Sequence, residues 1–182
     1  MKYLLIFVSL FFLVSFSTIE AQNIGIGIEA QKYAAGHILG GRIDIGIGDY
    51  NNLNVRVGYN FARHEDFGVH QDETGGGWGG SLGFRHYTSP DKSALFLGVR
   101  TDLWFNTIDW IDFIGQVDEV SGTTDIVVLQ PTIEIGYGFL LNDRILIAPS
   151  AAFGWEWNIK VDGADVGEGA ILLGGVQVSY RF

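Results

Sequence analysis

The stretch Leu53-Asn54-Val55-Arg56-Val57-Gly58-Tyr59-Asn60-Phe61 decides how this chain folds. Apolar side chains fill every odd position, and Asn, Arg, Gly and Asn fill the even ones. Only an extended strand, whose side chains alternate between two faces, turns that period of two into one apolar and one polar surface. A helix would mix the two sets around its circumference.

The same alternation continues in both directions. Upstream, Ile24, Ile26 and Ile28 alternate with Gly25, Gly27 and Glu29, and Ile43, Ile45 and Ile47 with Arg42, Asp44 and Gly46. Downstream, Trp78, Leu82 and Phe84 oppose Gly79, Gly83 and Arg85, and Leu95, Leu97, Val99, Leu103 and Phe105 oppose Gly98, Arg100 and Asp102. Further on, Leu129, Ile133, Ile135 and Tyr137 oppose Gln130, Thr132, Glu134 and Gly136, and Phe153, Trp155 and Trp157 oppose Ala152, Gly154 and Glu156. A last set, Val176, Val178, Tyr180 and Phe182, opposes Gln177, Ser179 and Arg181, which brings the expected strands to eight. Pro131 and Pro149 fall inside two of them and each removes a ladder donor, so bulges or local breaks are expected there.

The connections alternate in length. Residues 49–52, 88–93 and 141–143 are short turns rich in Asn, Asp, Ser or Pro. Residues 32–37, 64–77, 106–125 and 158–167 read as the longer loops. Short turns on one rim with both termini, and longer loops on the other, is the arrangement of an up-and-down transmembrane barrel.

At the N-terminus, Lys2 precedes an apolar run over residues 3–16 and a polar stretch that closes on Ala21. This pattern is that of a secretory signal peptide over residues 1–21, with a barrel domain over 22–182. The run is shorter than the roughly 20 residues that a membrane-spanning helix needs. With no cysteine there is no disulfide and no thiol for a lipid anchor, and a net charge of -10 excludes a phosphate-binding nucleic-acid partner. No apolar run after Gln22 is long enough for a spanning helix, so a membrane role requires a closed sheet.

Alternation alone does not say which face is outside; a soluble secreted carrier barrel would turn its apolar face inward. Three features choose the opposite. The polar face is full of glycine, as an eight-strand interior requires. It carries five acids (Glu29, Asp44, Asp102, Glu134 and Glu156) and five arginines (Arg42, Arg56, Arg85, Arg100 and Arg181). Buried charge needs such pairing. The apolar face carries aromatic residues near the strand ends, as interfacial belts do. Opposing Ile47 to Leu53 across the second turn sets Asp44 across from Arg56 as an expected ion pair. Eight strands leave a lumen filled by side chains, so a porin role is not expected.

In all these respects the chain resembles the OmpA/OmpX-like small outer-membrane barrels, from its N-terminal segment through to Val176-Gln177-Val178-Ser179-Tyr180-Arg181-Phe182. The Ile-Gly pairs and the Ala-Gln cleavage region also look similar to Bacteroidetes-type barrels. The resemblance implies an outer-membrane location in a Gram-negative cell envelope, with both mature termini periplasmic. It also implies partners in outer-membrane lipid and the barrel-insertion machinery, with Tyr180 and Phe182 as the insertion signal.

Other motifs add no chemistry. Gly75-Gly76-Gly77-Trp78-Gly79-Gly80 has the spacing of a dinucleotide fingerprint but no helix follows it. His86 and Thr88 share a face as in the lipid A deacylase barrels, which the fold resembles, but Thr stands in the serine position, no nearby Glu orients the His, and the site sits at the short-turn rim. The loops are acidic (Glu65, Asp66, Asp72 and Glu73; Asp109, Asp112, Asp118, Glu119 and Asp125; Asp162, Asp165 and Glu168) without a calcium-loop pattern. No catalytic residue, metal or cofactor is expected. The leading expectation is a structural or surface-interaction protein, in which Trp104, Phe105, Trp110 and Phe113 form an adhesive edge on the third loop with a surface ligand. A lipid-modifying enzyme and a soluble carrier are the alternatives.

Overall fold

A computed structural model describes residues 21–65 and 68–182. The expected signal peptide, but for Ala21, lies outside the described residues. The chain forms β1 (Ala21–Tyr33), β2 (Gly36–Ile47), β3 (Asn51–Glu65), β4 (Asp72–Tyr87), β5 (Leu95–Asp112), β6 (Val120–Tyr137), β7 (Phe139–Leu141), β8 (Ile145–Asp162) and β9 (Gly169–Arg181). Each pairs antiparallel with its sequence neighbour, apart from β6 and β7, which lie end to end and both pair with β8. β1 pairs with β9, from Gly25 opposite Arg181 to Lys32 opposite Gly174, and this closes the ring. The nine segments therefore make eight staves of an up-and-down barrel.

The seam between the sixth stave and β8 is interrupted at two prolines, Pro131 in β6 and Pro149 in β8. Between Leu129 opposite Trp157 and Thr132 opposite Gly154 the β6–β8 ladder lacks its pairs at Pro131, and it stops at Gly136 opposite Ser150, next to Pro149. It resumes in the same register at Phe139 opposite Ile147. Both prolines thus act as local breaks, while the bulge in this seam lies elsewhere, where the register shifts after Val127.

The barrel is apolar outside. Ile26, Val57, Leu82, Leu97, Ile133 and Leu172 are among the exposed large side chains, and Arg42, Asn54, Arg56, Arg85, Asp102 and Gln130 are buried. Outward-facing aromatic residues group at two levels. Tyr59 packs on Phe61 and edge-on to Trp78 toward the loop rim, and Tyr137 packs on Phe139 and Tyr180 on Phe182 toward the turn rim.

Two sequence expectations are corrected. Ile47 pairs with Asn51 and Ile45 with Leu53, so Asp44 faces Asn54 and Arg56 faces Arg42. The turn is residues 48–50, with Gly48 at φ 60°, and this tighter turn shifts the register by two residues. The loops are also shorter than expected, because strands replace their flanks. β1 and β2 are joined by residues 34–35 alone, and only residues 66–71, 113–119 and 163–168 connect the other pairs at that rim.

Above the aromatic level the outward residues become polar, and cross-strand hydrogen bonds replace apolar burial. Thr107 donates to Asp125 and Thr123 to Asp109, each at 2.6 Å. Such pairs stabilise a ladder on a wetted face.

Candidate functional site

The inward face is layered. At mid-height four arginines meet four carboxylates. Arg42 donates to Glu29 at 2.7 Å and to Asp44 at 2.9 Å. Arg56 donates to Asp102 at 2.6 Å and to Gln31 at 2.7 Å. Arg85 grips Glu134 with two bonds, 2.5 and 3.1 Å, and donates to Gln177 at 2.6 Å. Arg100 reaches both Asp102 and Glu29 at 3.1 Å, and Gln177 donates in turn to Asp44. All four guanidinium side chains are fully buried. Forked guanidinium donors bridging several carboxylates are the geometry in which buried charge is tolerated.

Two members of the expected network stand apart from it. Arg181 lies at the turn rim, where its Nη1 donates to the carbonyl of Asp91 at 2.8 Å. Glu156 lies toward the loop rim and makes no ion pair or hydrogen bond among the described residues. What separates each of them from the belt is a plug of apolar side chains.

Toward the loops the plug is built on Trp104, with Tyr33, Ile38, Ile108, Ile126 and Leu173; toward the turns it is Tyr87, Phe96, Leu146 and Ala148. Trp104 donates from Nε1 to Gln130 at 3.2 Å and lies 5.5 Å from the Arg56 guanidinium; Phe96 lies 4.3 Å from that of Arg85. Two glycines make room for these rings. A methyl group at Gly79 would overlap the Trp104 ring, and one at Gly136 would overlap Phe96. The lumen is therefore apolar, ionic and apolar in turn along its axis. The plugs were missed in sequence because Trp104 and Phe96 fall on the polar parity; the signal that carries them is glycine on the facing strand.

Above the outer plug a vestibule of about 680 Å³ opens between the loops, lined by Ala35, His64, Glu156, Asn158, residues 165–170 and neighbours. A chamber of about 50 Å³ lies in its floor, where Tyr33, Asn60, Asn106 and Glu156 meet. The loops at residues 66–71 and 163–168 border the vestibule and are tied to each other and to the end of β5. Glu73 accepts from the backbone N–H groups of Val69 at 3.2 Å, His70 at 3.1 Å and Gly167 at 3.4 Å, and lies 3.1 Å from His64 Nε2. The His70 ring stacks on Trp110 at 4.1 Å, with Nδ1 2.7 Å from Asp112 and Nε2 2.9 Å from the Asp165 carbonyl. Gln71 N–H donates to Asp112 at 2.9 Å, and Trp110 donates to Thr124 at 3.2 Å.

The adhesive edge expected on the third loop is thereby corrected. Trp104 is fully buried in the lumen, Trp110 is held against His70, and Phe105 faces outward from the barrel wall. The exposed apolar residues at the tip are Phe113, Ile114 and Val117.

These ties respond to acid. Burial works against the charged form of Glu73, but hydrogen bonds from His64, His70 and Gly167 outweigh it and hold the carboxyl below its usual range. The His70 ring and the Gln71 N–H do the same for Asp112. Groups with lowered folded values contribute stability that is complete above their unfolded values, about 4, and is lost as pH falls through the folded ones. The loops are expected to stay joined from neutral pH down to about pH 4 and to part below it. Loss of Trp110 burial, read by fluorescence quenching against pH, checks this, and Glu73→Gln should remove part of the transition.

Elsewhere the structure offers little chemistry. His86 is exposed at the turn rim, 2.9 Å from Asn51 Oδ1, and the Thr88 hydroxyl donates to the Leu95 carbonyl at 3.2 Å. Gly75 to Gly80 lie inside β4, away from any helix N-terminus. Among the described residues no group of three or more acidic, His or Cys residues is arranged to hold a metal ion.

No protein-family profile and no curated protein matches this sequence. Solved structures do share its fold. The N-terminal β-barrel domain of Pseudomonas aeruginosa OprF superposes with a TM-score of 0.52 at 16% identity, covering 88% of this chain and 97% of that one. Neisserial surface protein A gives 0.51 at 11% identity, over 88% and 96%. Ail, the attachment invasion locus protein of Yersinia pestis, gives 0.50 at 10% identity, over 88% and 97%. The fold is thus that of the small outer-membrane β-barrels. Within that class it is of the OmpA/OmpX-like type, with eight staves and a short axial lumen filled by side chains.

Proposed function

We propose that this protein is an integral, non-conducting outer-membrane barrel that serves as a surface-interaction platform. Its turn rim and both mature termini lie in the periplasm and its acidic loops outside the cell. The observation that carries this reading is the combination of a lumen stopped by two plugs with a loop rim held in one arrangement by side-chain ties. A barrel built to pass solute needs neither, whereas a barrel that displays a surface needs the second and tolerates the first.

On this reading Phe113, Ile114 and Val117 are the contact residues, raised on strands that extend past the aromatic level. Tyr180 and Phe182, outward-facing on the closing strand, serve as the insertion signal read by the barrel-insertion machinery. Ail, whose name is attachment invasion locus protein, shares this fold, and an attachment role agrees with this reading.

The test replaces residues 113–119 by a short Gly-Ser turn. The variant should still require detergent for extraction and retain heat-modifiable gel mobility, yet lose binding of whole cells to a panel of matrix and host-cell surfaces. Binding that is unchanged, or a stepwise conductance for the parent protein in planar bilayers, overturns the reading.

A further inference from the structure

We propose that the vestibule is a binding site for a small aliphatic amine, whose primary ammonium group is held in the chamber by Glu156, Asn106 and Tyr33. The proposal goes beyond surface display and does not depend on it.

The chamber brings together three groups with acceptor capacity to spare. Glu156 projects inward between the outward-facing Trp155 and Trp157, is half-buried, and has no hydrogen-bond or ion-pair partner among the described residues. Among the described residues no lysine or arginine lines either the chamber or the vestibule above it, and the basic side chain that does, His64, lies 3.1 Å from Glu73. Across from Glu156 on β5, Asn106 is only 5% exposed, and its Oδ1 accepts no hydrogen bond among the described residues. Tyr33 spends its hydroxyl proton on Asn60 Oδ1 at 2.7 Å, which leaves its oxygen lone pairs as acceptors. An acceptor that is buried without a donor is costly, and a carboxylate without a cation more so.

The missing group can be read from its complement. Three acceptors, one of them a carboxyl group that a bound cation would ionise, surround a space of about 50 Å³. A primary ammonium carries three N–H donors and one positive charge on a compact head. A quaternary ammonium has the charge but no donor, and a carboxylate or phosphate has the wrong sign. The about 680 Å³ above accommodates the aliphatic remainder, and Asp165 and Glu168 at its edge favour a second cationic end. A linear diamine satisfies every one of these features. The net charge of -10 adds long-range attraction for cations.

The experiment is titration calorimetry of the full-length protein in detergent micelles with putrescine, alongside 1-butylamine, tetramethylammonium and sodium at matched ionic strength. Putrescine is expected to bind saturably at one site, 1-butylamine more weakly, and tetramethylammonium and sodium not at all. Glu156→Gln should weaken putrescine by about tenfold or more, the loss expected for a hydrogen bond to a charged group. Asn106→Ser is the second variant, and heat-modifiable gel mobility certifies that each is folded. Should Glu156→Gln fail that criterion, Asn106→Ser alone decides. Absence of saturable putrescine binding, equal binding of tetramethylammonium, or full affinity in the folded variants overturns the proposal. Because it is read in micelles, its failure leaves the cell-binding result untouched.

Discussion

Arg85→Met is expected to lower the unfolding free energy of the barrel by about 3–5 kcal/mol, the range found when one partner of a buried ion pair is removed. Arg85 is wholly buried, holds Glu134 by two hydrogen bonds and ties Gln177 to the same point. Methionine fills much of the same volume against Phe96, so the loss isolates the charge rather than the packing. Arg100 Nη1 lies 3.8 Å from Oε2 of Glu134 and keeps part of the compensation, which places the effect toward the lower end. Reversible urea unfolding in phospholipid vesicles, followed by tryptophan fluorescence, measures it. The double variant Arg85→Met, Glu134→Leu should recover most of the loss. A double variant as unstable as the single one would refute the assignment to an uncompensated carboxylate.

Trp104→Ala should cost about 3–5 kcal/mol by the same measurement, as large aromatic truncations in packed interiors do. Its ring is the centre of the outer plug, and Gly79 has been kept bare to seat it. Truncation also strands the Gln130 carbonyl oxygen that accepts from Nε1 and uncovers Arg56 on one side. The barrel should nevertheless remain closed to ions, because Tyr87 and Phe96 stop the lumen independently at its other end. Conductance after this one substitution would show that the inner plug does not seal.

Much of the barrel was legible in the sequence because a strand residue has only two directions to point. Each Ile-Gly or Val-Arg pair therefore reports its own faces, and the eight staves follow from counting. Register was less legible, because it depends on turn length. Reading five residues where Gly48 permits a turn of three moved Asp44 from Asn54 to Arg56. The outer strand ends were invisible for a different reason. Past the aromatic level both faces meet water, so Thr107, Asp109, Thr123 and Asp125 read as loop although they pair as a ladder.

The composition of the ionic belt was read from parity and charge, but its members were not separable. Glu156 and Arg181 share the parity of the other eight and differ only in height along the axis, which alternation does not encode. The vestibule was beyond reach altogether. Its walls come from three loops and its chamber from β1, β3, β5 and β8, and no local pattern joins Tyr33, Asn106 and Glu156.

The broken sixth stave gives the hoop an uneven stiffness. Along β1 to β5 every neighbouring pair of strands is laced without interruption over at least its central part, whereas the β6–β8 line loses its stitches at Pro131 and again beside Pro149. Lateral pressure from surrounding lipid acts on the whole circumference at once, and the β6–β8 line meets it with short separate runs of bonds, whereas the closing β1–β9 seam, although shorter, is continuous from Gly25 to Lys32.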